Sequence, residues 1–339
     1  MVVVILDVVW TAAAAGSGAG PLSGRLSALL WRGALRVGRT PDGPRHEFLT
    51  VAGIAVVVVV VLAWAATAWA AWWLVFSAAD GAVVDAASQE PADLLDRLQF
   101  AGANFFTLGS DDLSAGAGAW QFAPIGATAT GVVFVTLAIS YFVPVASALA
   151  ERRQLGAYIS SLGETPEDLV RRGWNDGSFR GLEQHLVALT PLVHSLAERH
   201  LTYPVLQYFH SGRRERTSTA LTLVVLDEAL TLLRSGVTAA AAPDPATLQP
   251  LIRALGWYLD TVQGALVTPA PTPLPPADLA ALRQEGIPTV DDDDYRSAVD
   301  GQAGRRCQLA ALLTDEGWEL GAGERRNREL GPAMGSPRT

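Results

Sequence analysis

The stretch FLTVAGIAVVVVVVLAWAATAWAAWWLVFSAA runs from Phe48 to Ala79 without a charged residue. It is longer than the roughly 20 apolar residues that cross the hydrocarbon core of a bilayer. Inside lipid a segment must satisfy its own backbone hydrogen bonds, so even the β-branched run from Val56 to Val61 is expected to be helical. We therefore predict a transmembrane helix over 48–79. Its tryptophans, Trp69, Trp72 and Trp73, either mark the headgroup level or pack against a neighbouring helix.

A second charge-free run extends from Pro124 to Ala150 and ends at the charged residues Glu151, Arg152 and Arg153. It is also long enough to span a bilayer. Gly131 allows a neighbouring helix to come close, and Pro144 removes a backbone hydrogen bond and favours a kink. We predict a span over 124–150, with Gly131 and Pro144 as the hinge or gate of this inner helix.

Hydrophobic residues make up 50% of the 339 residues and charged residues 17%, and the long charge-free runs lie in the first half. This distribution predicts an all-α membrane protein with a second, aqueous half. The net charge of −9 argues against a nucleic-acid partner. Cys307 is the only cysteine, so neither a disulfide framework nor a thiolate metal site is expected. We find no nucleophile elbow and no phosphate loop, and we expect neither an enzyme nor a cofactor.

Arginine is distributed unevenly around the two predicted spans. Five arginines precede the first span within residues 1–47, whereas the segment between the spans holds mainly acidic residues and only Arg97. Because basic loops stay in the cytoplasm, we expect a multi-pass protein of the inner (plasma) membrane with its C-terminal half in the cytoplasm. The apolar stretch Met1 to Ala15 is either part of an additional N-terminal helix or a membrane-surface segment, and it is followed by a basic cytoplasmic linker.

The second half has the apolar spacing of amphipathic helices. Residues 154–267 are predicted to form a cytoplasmic helical domain with helices over Phe179 to His200, Leu221 to Leu233 and Leu248 to Leu266. A helix is also expected to begin after Thr165, because Pro166 suits the first helical position. Residues 268–276 form a proline-rich linker, residues 277–318 hold helices over Asp278 to Arg283 and Tyr295 to Leu313, and residues 319–339 a disordered tail.

The segment between the spans contains a short apolar helix, predicted over 91–106 with Pro91 at its first position. The apolar part of this helix is too short to cross a bilayer, and it stops at Thr107, where the chain turns polar. Such a helix is reasonable if it enters the bilayer between protein walls and returns on the same side. We predict that this segment is re-entrant.

The residues that follow, Thr107-Leu108-Gly109-Ser110-Asp111-Asp112, resemble the selectivity filter Thr-Val-Gly-Tyr-Gly-Asp of potassium-channel pore domains. The resemblance covers residues 48–153, and the stretch 197–209 is similar to the helical tail of some bacterial members of that family. It implies a homotetramer in membrane lipid that passively conducts monovalent cations, K⁺ or Na⁺, past rings of filter carbonyls. Ser110 replaces the aromatic residue and Asp111 the second glycine, which implies weakened potassium selectivity.

Two other interpretations follow from the same residues. A filter with these replacements fits a non-conducting, membrane-anchored structural or sensory protein that acts through its cytoplasmic helical domain. Four histidines, at positions 185, 194, 200 and 210, suggest a metal site, but the spacing of His185 and His194 places them on opposite sides of one helix. The acidic run Asp291 to Asp294 is better explained as the start of a helix, where carboxylates favour the helix dipole.

Overall fold

In the computed structural model, the chain is described over residues 21–40, 43–44, 46–203, 206, 218–263 and 270–315. The predicted N-terminal apolar segment and C-terminal tail lie outside these residues. The chain divides into two compact units, the first comprising Met1–Ala34 and Ala52–Ser147, the second Leu35–Val51 and Ala148–Thr339. Both units are mainly helical, which confirms the helical class predicted from the sequence.

Two long apolar helices dominate the first unit. Helix α2 spans His46–Phe76 and helix α4 spans Ala123–Leu162. Both are long and apolar enough to cross a membrane, and only 17% of the most apolar stretch of α4 is buried within the chain. An apolar helix this exposed is not the core helix of a water-soluble protein, because burial of apolar surface is what stabilises such a helix in water. Helix α4 continues beyond Ala150, where the predicted span ends.

The residues before α2 are more ordered than the predicted linker. Helix α1 spans Pro21–Gly38, and Arg39–Thr40 (β1) pairs with Gly43–Pro44 (β2) in a short antiparallel ladder. Leu26 of α1 packs against a small cluster formed by Val60 and Trp64. The arginine count that served to orient the chain did not reveal this helix, whose apolar positions are interrupted by glycine and arginine.

Between α2 and α4 the chain forms a 3₁₀ turn at Asp80–Ala82, strand β3 at Val83–Asp85, helix α3 at Leu94–Phe105, strand β4 at Leu113–Ala115 and a 3₁₀ turn at Gly118–Phe122. Helix α3 begins three residues later than predicted. The reason is that the Asp93 carboxylate accepts hydrogen bonds from the amides of Leu95 and Asp96, each at 2.8 Å, and caps the helix there. Pro91 instead forms a bridge with Val84.

The second unit contains seven further helices in the described residues: α5 (Pro166–Gly173), α6 (Arg180–Thr202), α7 (Thr219–Thr231, continued by a π-helical turn over Leu232–Gly236), α8 (Pro245–Gln263), α9 (Leu279–Gln284), α10 (Asp292–Asp300) and α11 (Ala303–Asp315). Helix α7 is the central one, because every residue except Leu221 is buried. A helix buried on all sides requires neighbours around its whole circumference.

Several local predictions for the second unit are confirmed. Thr165 caps α5 and Pro166 begins it. The apolar positions predicted for α6, Leu182, Leu186, Leu189, Val193 and Leu196, are all buried. The acidic run lies at the start of α10. The predicted helix over Tyr295 to Leu313, however, is divided at Gly301 into α10 and α11.

Candidate functional site

Helix α3 is attached to the last turns of α2. The indole Nε1 of Trp73 donates to the carbonyl of Leu94 and that of Trp69 donates to the carbonyl of Leu98, each at 3.0 Å. From Trp73 to Trp69 the chain of α2 goes back one turn, and from Leu94 to Leu98 the chain of α3 goes forward one turn. Helix α3 therefore runs back alongside α2, which is the direction that the re-entrant prediction requires.

The C-terminal end of α3 contacts α4. Thr128 donates to the carbonyl of Asn104 at 3.1 Å, and a Cβ added to Gly131 would lie 1.8 Å from the carbonyl oxygen of Phe105. Gly131 lies about 12 Å along α4 from Ala123 at the 1.5 Å rise per residue of a helix. Gly131 thus has a contact role, since no side chain fits there. Pro144 lies inside the continuous helix α4, and the gating role of both residues stays a prediction.

The loop from Thr107 to Asp112, called here the 107–112 loop, has an unusual backbone. Thr107 and Gly109 have φ values of 60° and 74°, and a β-branched residue in this region is strained. The amide of Thr107 donates to Asn104, and the amides of Leu108 and Gly109 donate to the carbonyl of Ala103 at 2.7 and 3.2 Å. The amides at the start of the loop therefore point back toward the end of α3.

The carbonyl groups of the first five residues of this loop, 107–111, have no donor within the described residues. The loop is also open, with Leu108 81% exposed and Asp111 and Asp112 exposed beside it. Consecutive carbonyls without donors need water or cations as partners, because backbone carbonyls are strong acceptors. The loop is thus suited to binding cations through backbone oxygen.

The outer end of the loop is tied to an antiparallel sheet of β3 and β4, which we call the outer sheet. In this sheet Val83 pairs with Ala115, Val84 with Ser114 and Asp85 with Leu113. The pairing continues into the loop, because the amide of Ala86 donates to the carbonyl of Asp112 at 2.9 Å. Ser110 donates through its hydroxyl to the carbonyl of Leu113 at 3.0 Å. The sequence analysis missed this sheet.

Arg97 is a functional candidate that the sequence analysis used only for orientation. Its side chain is buried and donates to the carbonyls of Ala92 at 2.9 Å and Asp80 at 3.2 Å, and it forms an ion pair with the Asp80 carboxylate at 3.3 Å. These bonds join the end of α2 to the start of α3. The available signal was that Arg97 is the only arginine in the segment between the two spans.

The histidines do not form a metal site in the described residues. His185 contacts Tyr158, and His194 packs on Trp257. His200 is buried against Tyr258, and His210 lies outside the described residues. No cluster of three potential metal-ligating side chains occurs in the described parts of the chain. Burial, assisted by the Arg152 guanidinium, lowers the pKa of His200 to about 3.

Two ion pairs are buried in the second unit. Asp227 and Glu228, adjacent on α7, pair with the adjacent arginines Arg305 and Arg306 of α11. Arg306 lies 2.7 Å from Glu228 and also donates to the carbonyls of Leu274 and Pro275 at 2.9 and 2.7 Å. Burial raises the pKa of Glu228 to about 7 although Arg306 opposes this shift.

Two helices long and apolar enough to cross a membrane define the class, together with the relative described next: the chain is a membrane protein. It is 31% identical over 309 residues to the uncharacterized membrane protein YdjJ of Bacillus subtilis (strain 168), an alignment that covers 91% of this chain and 89% of that protein. The chain therefore belongs to the same family as YdjJ. No protein-family model matches the chain, and no solved structure matches it.

Proposed function

We propose that the chain is one subunit of a potassium-channel-like, homotetrameric cation channel of the plasma membrane. In this proposal α2 and α4 are the spans, α3 is the pore helix, and the 107–112 loop is the filter, which monovalent cations cross passively. The second unit is a cytoplasmic helical domain that serves assembly or gating. The arginine asymmetry of the sequence supports this orientation.

The free carbonyls of residues 107–111 carry the proposal. They follow a helix whose end lies beside Gly131, about 12 Å along α4. In the proposed pore these carbonyls lie within the bilayer, where unpaired backbone groups are tolerated only along a polar path. Carbonyl oxygens that replace a hydration shell are the means by which channels bind monovalent cations.

The exposed apolar surface of the first unit supports assembly around an axis. Leu95 of α3 and Phe106, which directly follows α3, are 73% and 45% exposed, and Leu108 lies on the loop beyond them. One chain by itself leaves these residues and the loop carbonyls without protein walls. Four copies around one axis would supply those walls. Mass measurement in native-like lipid should give a particle of four 35.8 kDa chains, whereas a monomer or dimer would contradict an axial pore.

Cation flux through purified protein in liposomes tests conduction directly. Gly109→Ala adds a side chain at a positive φ within the loop, and Gly118→Ala adds one at the same φ of 74° outside it, both into open space. The two variants therefore carry matched backbone strain. We expect Gly109→Ala to reduce flux by on the order of fivefold, as roughly 1 kcal/mol of strain predicts, and Gly118→Ala to leave it unchanged.

The alternative is a non-conducting, membrane-anchored structural or sensory protein. Asp111 favours it, because this residue stands where the filter of the channel family has a conformationally free glycine. This alternative would be favoured if a verified tetramer, inserted in liposomes in both orientations, carried no cation flux. Equal flux in the two glycine variants would show that ions do not pass the 107–112 loop.

A further inference from the structure

We propose that the outer sheet positions the 107–112 loop and that Asp85 is the positioning residue of this sheet. This inference rests on the proposed function, because it assigns the sheet a role in a conducting filter. In the channel family that the loop resembles, the aromatic residue at the position of Ser110 packs against the residues that surround the filter. Serine cannot do so, and the chain has a different structure at this point.

The backbone holds the loop from its outer end. The hydrogen bond from Ala86 to Asp112 and the bond from Gly116 to Ala82, at 2.9 and 3.0 Å, continue the β3–β4 pairing at both ends. Gly116 comes so close to the other strand that an added Cβ would lie 1.7 Å from the carbonyl of Gly81. Within this frame Ser110 bonds to Leu113. The outer end of the loop is therefore fixed, although the carbonyls of residues 107–111 have no donor among the described residues.

Asp85 determines whether Ala86 can make its bond. One oxygen of its carboxylate, Oδ1, accepts hydrogen bonds from the amides of Ala87 and Ser88 at 2.9 and 2.7 Å and from the Ser88 hydroxyl at 3.0 Å. These bonds close the turn that follows β3. Ala86 lies between Asp85 and the bonded amides, so the turn sets the direction of its N–H toward Asp112. Asp85 acts on the loop through this backbone and has no need to contact an ion.

The outer sheet is also connected to the start of the pore helix. The amide of Ala92 donates to the carbonyl of Val83 at 3.0 Å, and Val84 pairs with Pro91. Arg97 binds the carbonyl of Ala92 from the other side. Strand β3 therefore contacts both the residues that precede α3 and those that follow the loop. A shift of β3 is expected to change the separation of the loop carbonyls without loss of α3.

Two substitutions separate geometry from charge. Asp85→Asn removes the charge but keeps an oxygen that accepts the same hydrogen bonds, whereas Asp85→Ala removes both. Glu90→Ala is the control for lost charge, because the Glu90 side chain makes no bond to any described residue although its backbone pairs with Asp85. Each full-length variant is reconstituted in liposomes for ion flux and in nanodiscs for amide exchange.

We expect amide exchange at Ala86 and at residues 113–116 to be about fivefold faster in Asp85→Ala, the effect of losing an aspartate cap, and unchanged in Asp85→Asn and Glu90→Ala. The ratio of potassium to sodium permeability should shift by about twofold or more in Asp85→Ala only, because selectivity depends on carbonyl positions. A purely structural role would lower the amount of active protein but leave this ratio unchanged. If Asp85→Ala does not fold, Ser110→Ala, which deletes a single hydroxyl, is the second variant. We expect it too to exchange these amides faster and to shift the permeability ratio.

The outcomes distinguish the inference from the proposed function. Normal exchange in Asp85→Ala overturns the positioning role of Asp85. Faster exchange with an unchanged permeability ratio, in a protein that conducts, overturns the role of the outer sheet and leaves the channel proposal standing. A wild-type protein that carries no flux refutes the channel proposal and the filter role of the sheet together, whatever the exchange rates are.

Discussion

The second unit contains two buried titratable groups whose effects on stability oppose each other. The folded pKa of Glu228 is raised from 4.5 to about 7, so the folded protein gains stability as the pH falls from 7 to 4.5 and loses it as the pH rises. The folded pKa of His200 is lowered from 6.5 to about 3, so the protein loses stability as the pH falls from 6.5 to 3. Between pH 6.5 and 4.5 both groups titrate, with opposite signs.

The magnitudes follow from the proton count. Each group changes the free energy of unfolding by about 1.4 kcal/mol per pH unit, and in this window the two slopes cancel. Glu228→Gln removes the pH dependence that Glu228 contributes to the free energy of unfolding and leaves the one that His200 contributes. We therefore expect this variant to lose about 3 kcal/mol relative to the wild type between pH 6.5 and 4.5. His200→Phe, which keeps a ring beside Tyr258, should gain about 3 kcal/mol over the same window.

Denaturant unfolding of full-length protein in nanodiscs, followed by tryptophan fluorescence, measures these changes. Each variant is compared with the wild type at every pH, so that contributions from all other titrating groups cancel in the difference. If the free energy of unfolding depended on pH in the same way in the wild type and both variants, the opposing roles of Glu228 and His200 would be refuted. Equal slopes of the same sign in the two variants would do so as well.

Three further predictions concern the first unit. Trp69→Phe removes the donor to the carbonyl of Leu98 and should lower the free energy of unfolding in nanodiscs by about 1 kcal/mol. Trp72→Phe should lower it less, because the buried Trp72 Nε1 has no partner among the described residues. Equal losses in the two variants would contradict this prediction. Asp112→Asn should reduce cation throughput at low ionic strength, because it removes charge beside the 107–112 loop. Glu90→Gln should have a smaller effect. Currents of Asp112→Asn identical to those of the wild type at all salt concentrations would exclude a role for Asp112. A cysteine replacing the exposed Ser88, with Cys307→Ser, should react with impermeant reagents added outside intact cells; labelling only from the cytoplasmic side would reverse the orientation.

The long helices could be predicted because their signals are local. A charge-free run longer than a bilayer core admits few structures. Helix α4 covers its predicted span, and α2 covers its own except for the last three residues, because it ends at Phe76. The buried face of α6 followed from the spacing of its apolar residues. The cap at Thr165 and the acidic first turn of α10 are also properties of a few adjacent residues.

What could not be predicted depends on contacts between distant residues. The outer sheet pairs segments about thirty residues apart, and each strand has only three residues, too few for a periodic signal. The start of α3 was misplaced because two signals competed: Pro91 suits a first helical position but pairs with Val84, and Asp93 caps the helix. The resemblance of residues 107–112 to a filter motif stays a prediction, and the motif contains nothing that predicts which carbonyls are left without donors among the described residues.

The adjacent ion pairs between α7 and α11 make the second unit dependent on a complete chain. Asp227 and Glu228 lie in the central helix, but Arg305 and Arg306 are synthesised almost eighty residues later. Until then, burial of α7 would leave two carboxylates without counter-ions, at a cost of roughly 3–5 kcal/mol for each broken pair. A sliding error of one residue in α11 would also place one carboxylate opposite an uncharged side chain, Gly304 or Cys307. We therefore expect chains that lack α11, or that pair it out of register, to form this core less stably and to be cleaved faster by proteases.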